Sequence, residues 1–377
     1  MSAAAPSIAA IEPDVADNKV AVATQLQLTW WRFRKHKVAL WSGIIVLLFY
    51  LMAILADFLA TTNPHVTDAR RSFIPPQPIH WLDEGSFAPH VFALKGRRDP
   101  KTFKLIYAPD PSEKRYLQLF AQGFEYNFLG FIPTNRHLLG VSDGKPEESL
   151  FLLGTDLLGR DVWSRLMLAS RTSLTIGLVG VALSLFLGVL LGGISGLYGG
   201  WVDTVIQRII EILRSIPTIP LWMGLAAALP STWSVTQVYF AITVIISLIG
   251  WTELARVVRG RFLAMREEDF ITAAELAGAS QFRIIFRHMV PSFLSHIIAA
   301  VSLALPAMII SETTLSFLGL GLRPPAISWG VLLQDAQNLQ ALATAPWLLV
   351  TALPVILVIL AFNFLGDGLR DAADPYG

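Results

Sequence analysis

The chain has 377 residues, 54% of them hydrophobic and only 15% charged, with a formal net charge of +1. Its apolar residues fall in long uninterrupted blocks, which excludes an ordinary water-soluble domain. The near-neutral balance excludes the strongly basic face that phosphate binding needs, so no nucleic-acid partner is expected, and the absence of cysteine excludes disulfides, thiol catalysis and cysteine-ligated metal.

Residues 1–24 are rich in alanine and carry Glu12, Asp14 and Asp17 but no apolar core of the signal-peptide kind. A disordered cytosolic tail is expected there. Arg32, Arg34, Lys35 and Lys37 then precede the first charge-free block, residues 38–56. Cytoplasmic retention of Lys and Arg places the N-terminus inside. Further charge-free blocks run over 172–202, 215–252, 289–311 and 336–366, each long enough to cross ~30 Å of hydrocarbon. The block 215–252 is too long for one crossing and is broken by Leu229-Pro230-Ser231-Thr232, which predicts two helices joined by a tight outer turn. The expected fold is thus an all-α polytopic membrane protein with six transmembrane helices, both termini cytosolic, and a large extracytoplasmic insert after the first span. Its divisions are 1–37 (tail and interfacial helix), 38–60 (first span), 61–171 (insert and interfacial helix) and 172–377 (five-helix core).

The insert is rich in aromatic residues and contains "SFIPPQPIHW" and "YAPDPSE", which supply turn and extended chemistry. A small loop-rich subdomain is predicted, with short strands at "HVFALK" and "FKLIYA", serving either as a docking platform or as a decorative insertion. His65, His80, His90 and His137 lie here without metal-ligand spacing, so no metal is expected. In the second span Gly188, Gly192, Gly196 and Gly200 recur at every fourth position and predict a helix-packing stripe. Residues 201–217 follow as an amphipathic helix with Arg208 and Glu211 placed to pair, and Pro217 and Pro220 introduce a kink or a hinge where it enters the membrane.

The segment "REEDFITAAELAGASQFRIIFRHMVPSF", residues 266–293, lies within a charged excursion, 258–290, between the fourth and fifth spans. Its arginines, with Arg256, Arg259 and Arg261 before them, put it on the cytosolic side. Asp269 is expected to cap a helix that runs through Leu276, Ala273, Ala274 and Ala277 give it a low-relief face, Gly278 ends it in a left-handed turn, and Ser280 caps the next helix. Such a face suits close docking by another protein.

This segment resembles the coupling loop of binding-protein-dependent ABC importer permeases, whose pattern is Glu-Ala-Ala, three residues, Gly, nine residues, Ile-x-Leu-Pro. Ala273, Ala274, Gly278 and Pro291 fall in register, while Thr272, His288 and Val290 depart from it. The chain more closely resembles the dipeptide, oligopeptide and nickel branch, which also matches "LGTDLLGRDVWSRLMLASRTSL" (153–174), "GLYGGWVD", "ETTLSFLGLGLRPP", "WGVLLQDA" and "GDGLRDAADP". In the first of these matches Asp161 is read as a helix cap, with Val162, Leu166 and Ala169 forming a stripe opposite Arg160 and Arg165 on an interfacial helix. The resemblance implies that Phe270, Thr272, Ala273, Ala274, Ala277, Gly278 and Ala279 form an ATPase-coupling helix. It implies as partners a second homologous permease subunit, two cytosolic ATPase subunits and an extracytoplasmic substrate-binding protein, in the lipid of a bacterial inner membrane. It implies no cofactor, and cargo of peptides, oligosaccharides or opine-like solutes.

No phosphate-binding G-x-x-x-x-G-K-[ST] occurs, so the energy source is expected on a partner. Glu312, an ionisable group near the outer end of the fifth span, is expected either to line the outer mouth of the path or to serve a structural role. A remote alternative is an intramembrane serine protease, because "GISG" places Ser195 between glycines and His288 or His296 lies at a similar depth.

Overall fold

The computed structural model describes residues 25–98, 100, 105–141 and 150–373. The expected tail at 1–24 and the first two residues of "FKLIYA" lie outside them. A short amphipathic helix, α1 (Gln25–Lys35), leads into α2 (Lys37–Ile54), which is continued by one turn, α3 (Ala56–Leu59). His36 caps α2, accepting from the Ala39 N–H.

The insert is a four-stranded antiparallel meander, β1 (His80–Asp83), β2 (Ser86–Arg98), β3 (Leu105–Phe128) and β4 (Ile132–Val141), in the order β1-β2-β3-β4. The all-α expectation therefore holds for the membrane part and not for the insert, and the strands are longer than the short ones predicted. One reason is that β3 serves two hairpins in succession, pairing with β2 from Arg98↔Leu105 to His90↔Tyr116 and with β4 from Leu117↔Val141 to Phe128↔Ile132. Pro109 and Pro111 read as breakers in the sequence. Pro109 is accommodated opposite Leu94 in the half of β3 that pairs on one edge, and Pro111 falls in the bulge between Asp110 and Lys114. Lys114 and Tyr116 both donate to Asp83, at 2.5 and 2.7 Å, holding its carboxyl below its ordinary range.

α4 (Val162–Tyr198) is a single helix of 37 residues capped by Asp161, whose carboxylate accepts the Ser164 N–H at 2.8 Å. The expected separate interfacial helix is instead the beginning of α4. Arg165 does not face away from the apolar stripe but is buried with it, because Asp156 and Asp335 neutralise it there. α5 (Gly200–Ser215) and α6 (Thr218–Ala227) meet at 87°, so the prolines produce a near right angle where a kink or hinge was expected. With α6 before the turn at Ala228–Ser234 and α7 (Val235–Met265), capped reciprocally by Ser234 and Gln237, after it, the block 215–252 does contain two helices. One of them, however, has only ten residues.

Beyond α7 come α8 (Asp269–Leu276), α9 (Leu294–Phe317), α10 (Trp329–Asp335), α11 (Leu339–Thr344) and α12 (Ala352–Ala373). Among the described residues five helical segments have the length and apolar character of a crossing, or six if the bent pair α5–α6 is one. The main core joins α2, α4, α9, α10 and α12 through Val46, Leu166, Ile309, Trp329, Val358 and Phe362. Against α7, the α4 glycines allow backbone approach: a Cβ at Gly192 would stand 2.4 Å from the Ala255 carbonyl oxygen, and one at Gly196 2.8 Å from that of Arg259. Gly188 abuts the Leu254 side chain, while Gly200 falls outside the stripe at the start of α5 with no neighbour.

Candidate functional site

The segment between α7 and α9 combines a buried anchor with an exposed helical face. α7 continues to Met265, so the excursion begins at Arg266 and not at residue 258. The arginines that suggested an earlier loop sit on the helix, where Arg259 grips both carboxylate oxygens of Asp203 through its Nε and a terminal nitrogen. α8 follows with Glu268 in the capping position and no side-chain cap, so Asp269 lies in the first turn instead of capping. Its charge there still complements the helix dipole.

The helix ends as its sequence predicts. Gly278 takes φ +75°, its N–H donates to the Glu275 carbonyl at 2.9 Å, and the Ala279 N–H donates to that of Ala274 at 3.0 Å. These paired bonds close the last turn in a left-handed cap that favours glycine. Ser280 then caps the next turn, accepting the Arg283 N–H at 3.3 Å.

Ile271 is fully buried, packing into a cluster with Val258 and Phe262 of α7, Val189 of α4, and Ile284, Ile285, Met289, Phe293 and Ile297. Residues Ile284–Met289 form a π-helical stretch, and its wider turn sends Ile284, Ile285 and Met289 all into that cluster. Opposite the anchor, Phe270, Thr272, Ala273, Ala277 and Gly278 are exposed, and Leu276 is 85% exposed. Ala274 and Ala279 are half-buried against the cluster. The result is a small, smooth, partly apolar face carried by one side chain in the helical core.

The other singled-out residues are placed as follows. Glu312 is fully buried, accepting from Ser173 at 2.9 Å and Ser316 at 2.8 Å, while Ser173 and Ser316 in turn accept the N–H groups of Trp329 and Leu322. This hydroxyl network ties α4, α9 and α10 together and encloses the carboxylate, so Glu312 does not line an outer mouth in this structure. Ser195 donates to Asp203 at 2.5 Å and accepts from Gln207 at 3.2 Å. The hydroxyl of the protease alternative is thus engaged by a carboxylate already paired with Arg259.

Two charge clusters went unread in the sequence. The Asp203–Arg259 pair holds α5 to α7 at the end nearest α8. At the opposite end of α4, Asp156 receives Arg160 at 2.7 Å and Arg165 at 2.5 Å, and both arginines reach Asp335 at 3.0 and 2.9 Å. "LGTDLLGRD" and "WGVLLQDA" each contribute to this second cluster, so residues 175 positions apart form one structural unit. The motifs themselves were the available signal, but a sequence pattern alone does not say that they meet.

Long apolar helices packed through a glycine seam, with a projecting helix anchored in their core, define a polytopic membrane protein. The chain belongs to the family of binding-protein-dependent transport system inner membrane components, whose model matches residues 188–376. Residues 24–76 match the N-terminal transmembrane domain of oligopeptide transport permease C.

The chain is 37% identical to the oligopeptide transport system permease protein OppC of Bacillus subtilis over 61% of this chain and 73% of that one. It is 35% identical to the glutathione transport system permease protein GsiD of Pectobacterium atrosepticum, over 67% and 77% of the two. It is 39% identical to the dipeptide transport system permease protein DppC of Alkalihalophilus pseudofirmus, over 59% and 71%. A solved chain of the inward-facing MetNI methionine ABC transporter aligns over 54% of this chain and 93% of its own, at 17% identity and a TM-score of 0.42. The protein is a permease subunit of an ATP-driven ABC importer and contributes to its translocation pathway, and ATP is hydrolysed on a partner.

Proposed function

We propose that residues 270–279 are the element through which the partner ATPase drives this subunit, with Phe270, Thr272, Ala273, Ala277 and Gly278 at the contact and Ala274 and Ala279 supporting it from behind. The observation that carries this reading is the combination of an exposed α8 face with the fully buried Ile271. A push on the face moves a side chain wedged among α4, α7 and α9, giving the rigid contact that coupling between distant sites needs.

In the same reading the chain crosses the inner membrane six times, with α5–α6 as the bent third crossing and both termini in the cytosol. It pairs with a second permease subunit, and the insert at 61–150 is the outer platform for the binding protein. The cargo is a peptide, following the oligopeptide, dipeptide and glutathione systems of the relatives.

In the complete importer, Ala273→Cys should crosslink to an ATPase carrying a cysteine in its docking cleft, a clean test because the chain has no native cysteine. A scan of cysteines over 270–279 that yields no crosslink, in a complex that still transports, would place the contact elsewhere. For the platform, Trp81→Ala with Phe87→Ala, at the exposed tip of the β1–β2 hairpin, should reduce stimulation of ATP hydrolysis by loaded binding protein. Unchanged stimulation counts against it.

A further inference from the structure

The β3–β4 hairpin ends in an uncharged apolar tip beside the last turn of the first span. Between Glu125 and Arg136 the sequence is YNFLGFIPTN, ten residues without a charge. Phe131 is 72% exposed, and Leu129 and Ile132 beside it are exposed as well. In a hairpin tip surrounded by water these side chains would hold apolar surface exposed without compensation.

The height of the tip is set by contacts at its base. Phe58, in α3, packs against Phe120 at 6.0 Å and Phe128 at 6.2 Å, and the His137 ring bonds the Asp57 carbonyl at 2.9 Å. Asp57 also pairs with Arg171 at 2.7 Å, marking the level at which charge returns after the apolar run of α2. Phe128 adjoins the turn directly, and the three turn residues reach at most ~10 Å from it. The tip is therefore held at the boundary of the first span, whose Leu47, Leu48, Leu51 and Ile54 are themselves exposed.

Composition along the hairpin is graded in the same direction. Leu129 and Phe131, with the Phe128–Ile132 pair, form the end, the pairs Asn127–Pro133 and Tyr126–Thr134 come next, and the first charges, Glu125 and Arg136, lie beyond them. This is the order of an element that enters an interface apolar end first, with aromatic rings at headgroup depth.

We propose that Leu129, Phe131 and Ile132 insert into the outer leaflet, so that the insert rests on the lipid surface through this tip as well as on the first span through Phe58. The proposal rests on the reading of α2 as a crossing with the insert outside.

The test is site-directed spin labelling of the full-length chain in phosphatidylethanolamine–phosphatidylglycerol vesicles. Collision with oxygen, which concentrates in lipid, is compared with collision with a water-soluble nickel chelate at Phe131→Cys, Leu48→Cys and Ser112→Cys. The oxygen-to-nickel ratio at Phe131→Cys should approach that of Leu48→Cys and exceed that of Ser112→Cys several-fold. A ratio at Phe131→Cys equal to that at Ser112→Cys would show a tip in water and overturn the proposal. Exclusion of both reagents would show a tip covered by protein and overturn it equally. A water-like ratio at Leu48→Cys would remove the crossing itself, and the proposal with it.

Discussion

Gly192 and Gly278 resist a side chain for different reasons, and the difference separates folding from coupling. At Gly192 a new Cβ would press on a backbone carbonyl of α7, which cannot rotate aside. Gly192→Ala should therefore lower the melting temperature and the yield of monodisperse chain in detergent. At Gly278 the space is open and only the positive φ objects, a penalty of ~1–2 kcal/mol confined to one turn. Gly278→Val should insert and purify normally while transport and transport-linked ATP hydrolysis fall, as uptake into vesicles would show. Asp161 offers a pH test. Burial pushes its carboxyl up from 3.8 to about 6, against the opposing pull of its bonds from Ser164 and Thr61. The folded chain thus holds this proton more tightly than the unfolded one, so its contribution to stability is complete below about pH 4 and falls away as pH rises through about 6, by ~3 kcal/mol. Asp161→Asn keeps an acceptor for the cap and removes the charge. Melting curves of the variant across that window should be flatter than those of the native chain, and identical slopes would mean that the carboxyl does not titrate there.

Among the elements, α8 can serve the proposed coupling role only while Ile271 keeps its place. Ile271→Ala removes a fully buried side chain from the cluster and should destabilise the segment by ~2–4 kcal/mol, including the cost of the cavity left behind. The exposed residues at the proposed contact are untouched by this change. The expected result is an importer whose Ala273→Cys crosslink to the ATPase survives while transport is lost; full transport would show that force does not pass through Ile271. The β3 strand is a second case in which an element depends on neighbours. Its prolines argue against a strand when read locally, and its Gln122–Tyr126 irregularity bends it so that Phe120 and Phe128 both meet Phe58. That partnership lies 62 and 70 residues back along the chain, where local pattern gives no sign of it.

For the whole molecule, the proposed orientation is checked by Ser112→Cys and Ser280→Cys, both at exposed positions and free of native cysteine background. An impermeant thiol reagent should reach the first from outside intact cells and the second only after the membrane is opened. The apolar helices, the caps by Asp161 and Ser280 and the left-handed turn at Gly278 were all readable in advance, because each depends on hydrophobic run length or on a few adjacent residues. Glu312 was not: whether a carboxylate faces water or a ring of hydroxyls depends on Ser173 and Ser316 arriving from different elements. Arg165 is no more legible, since its burial takes Asp335, far along the sequence, together with the nearby Asp156. The insert was legible as a folded unit rich in turns, but its sheet order depends on pairings that periodicity does not encode.

The right angle between α5 and α6 has a consequence for the bilayer. At 1.5 Å per residue α6 reaches ~15 Å, about half the thickness of the hydrocarbon, and α5 lies across it. Both ends of α6 leave backbone donors and acceptors without helical partners, and oil does not satisfy them. With α5–α6 as the proposed third crossing, the corner at Ile216–Pro217 and the turn after Ala227 must therefore be wet or wrapped in protein, leaving the lipid slab incomplete on this flank. The amide hydrogens of Thr218 and Ile219, in the first turn of α6, should accordingly exchange with deuterium within the time that those in the middle of α7, at Ile245 and Ile246, remain protected.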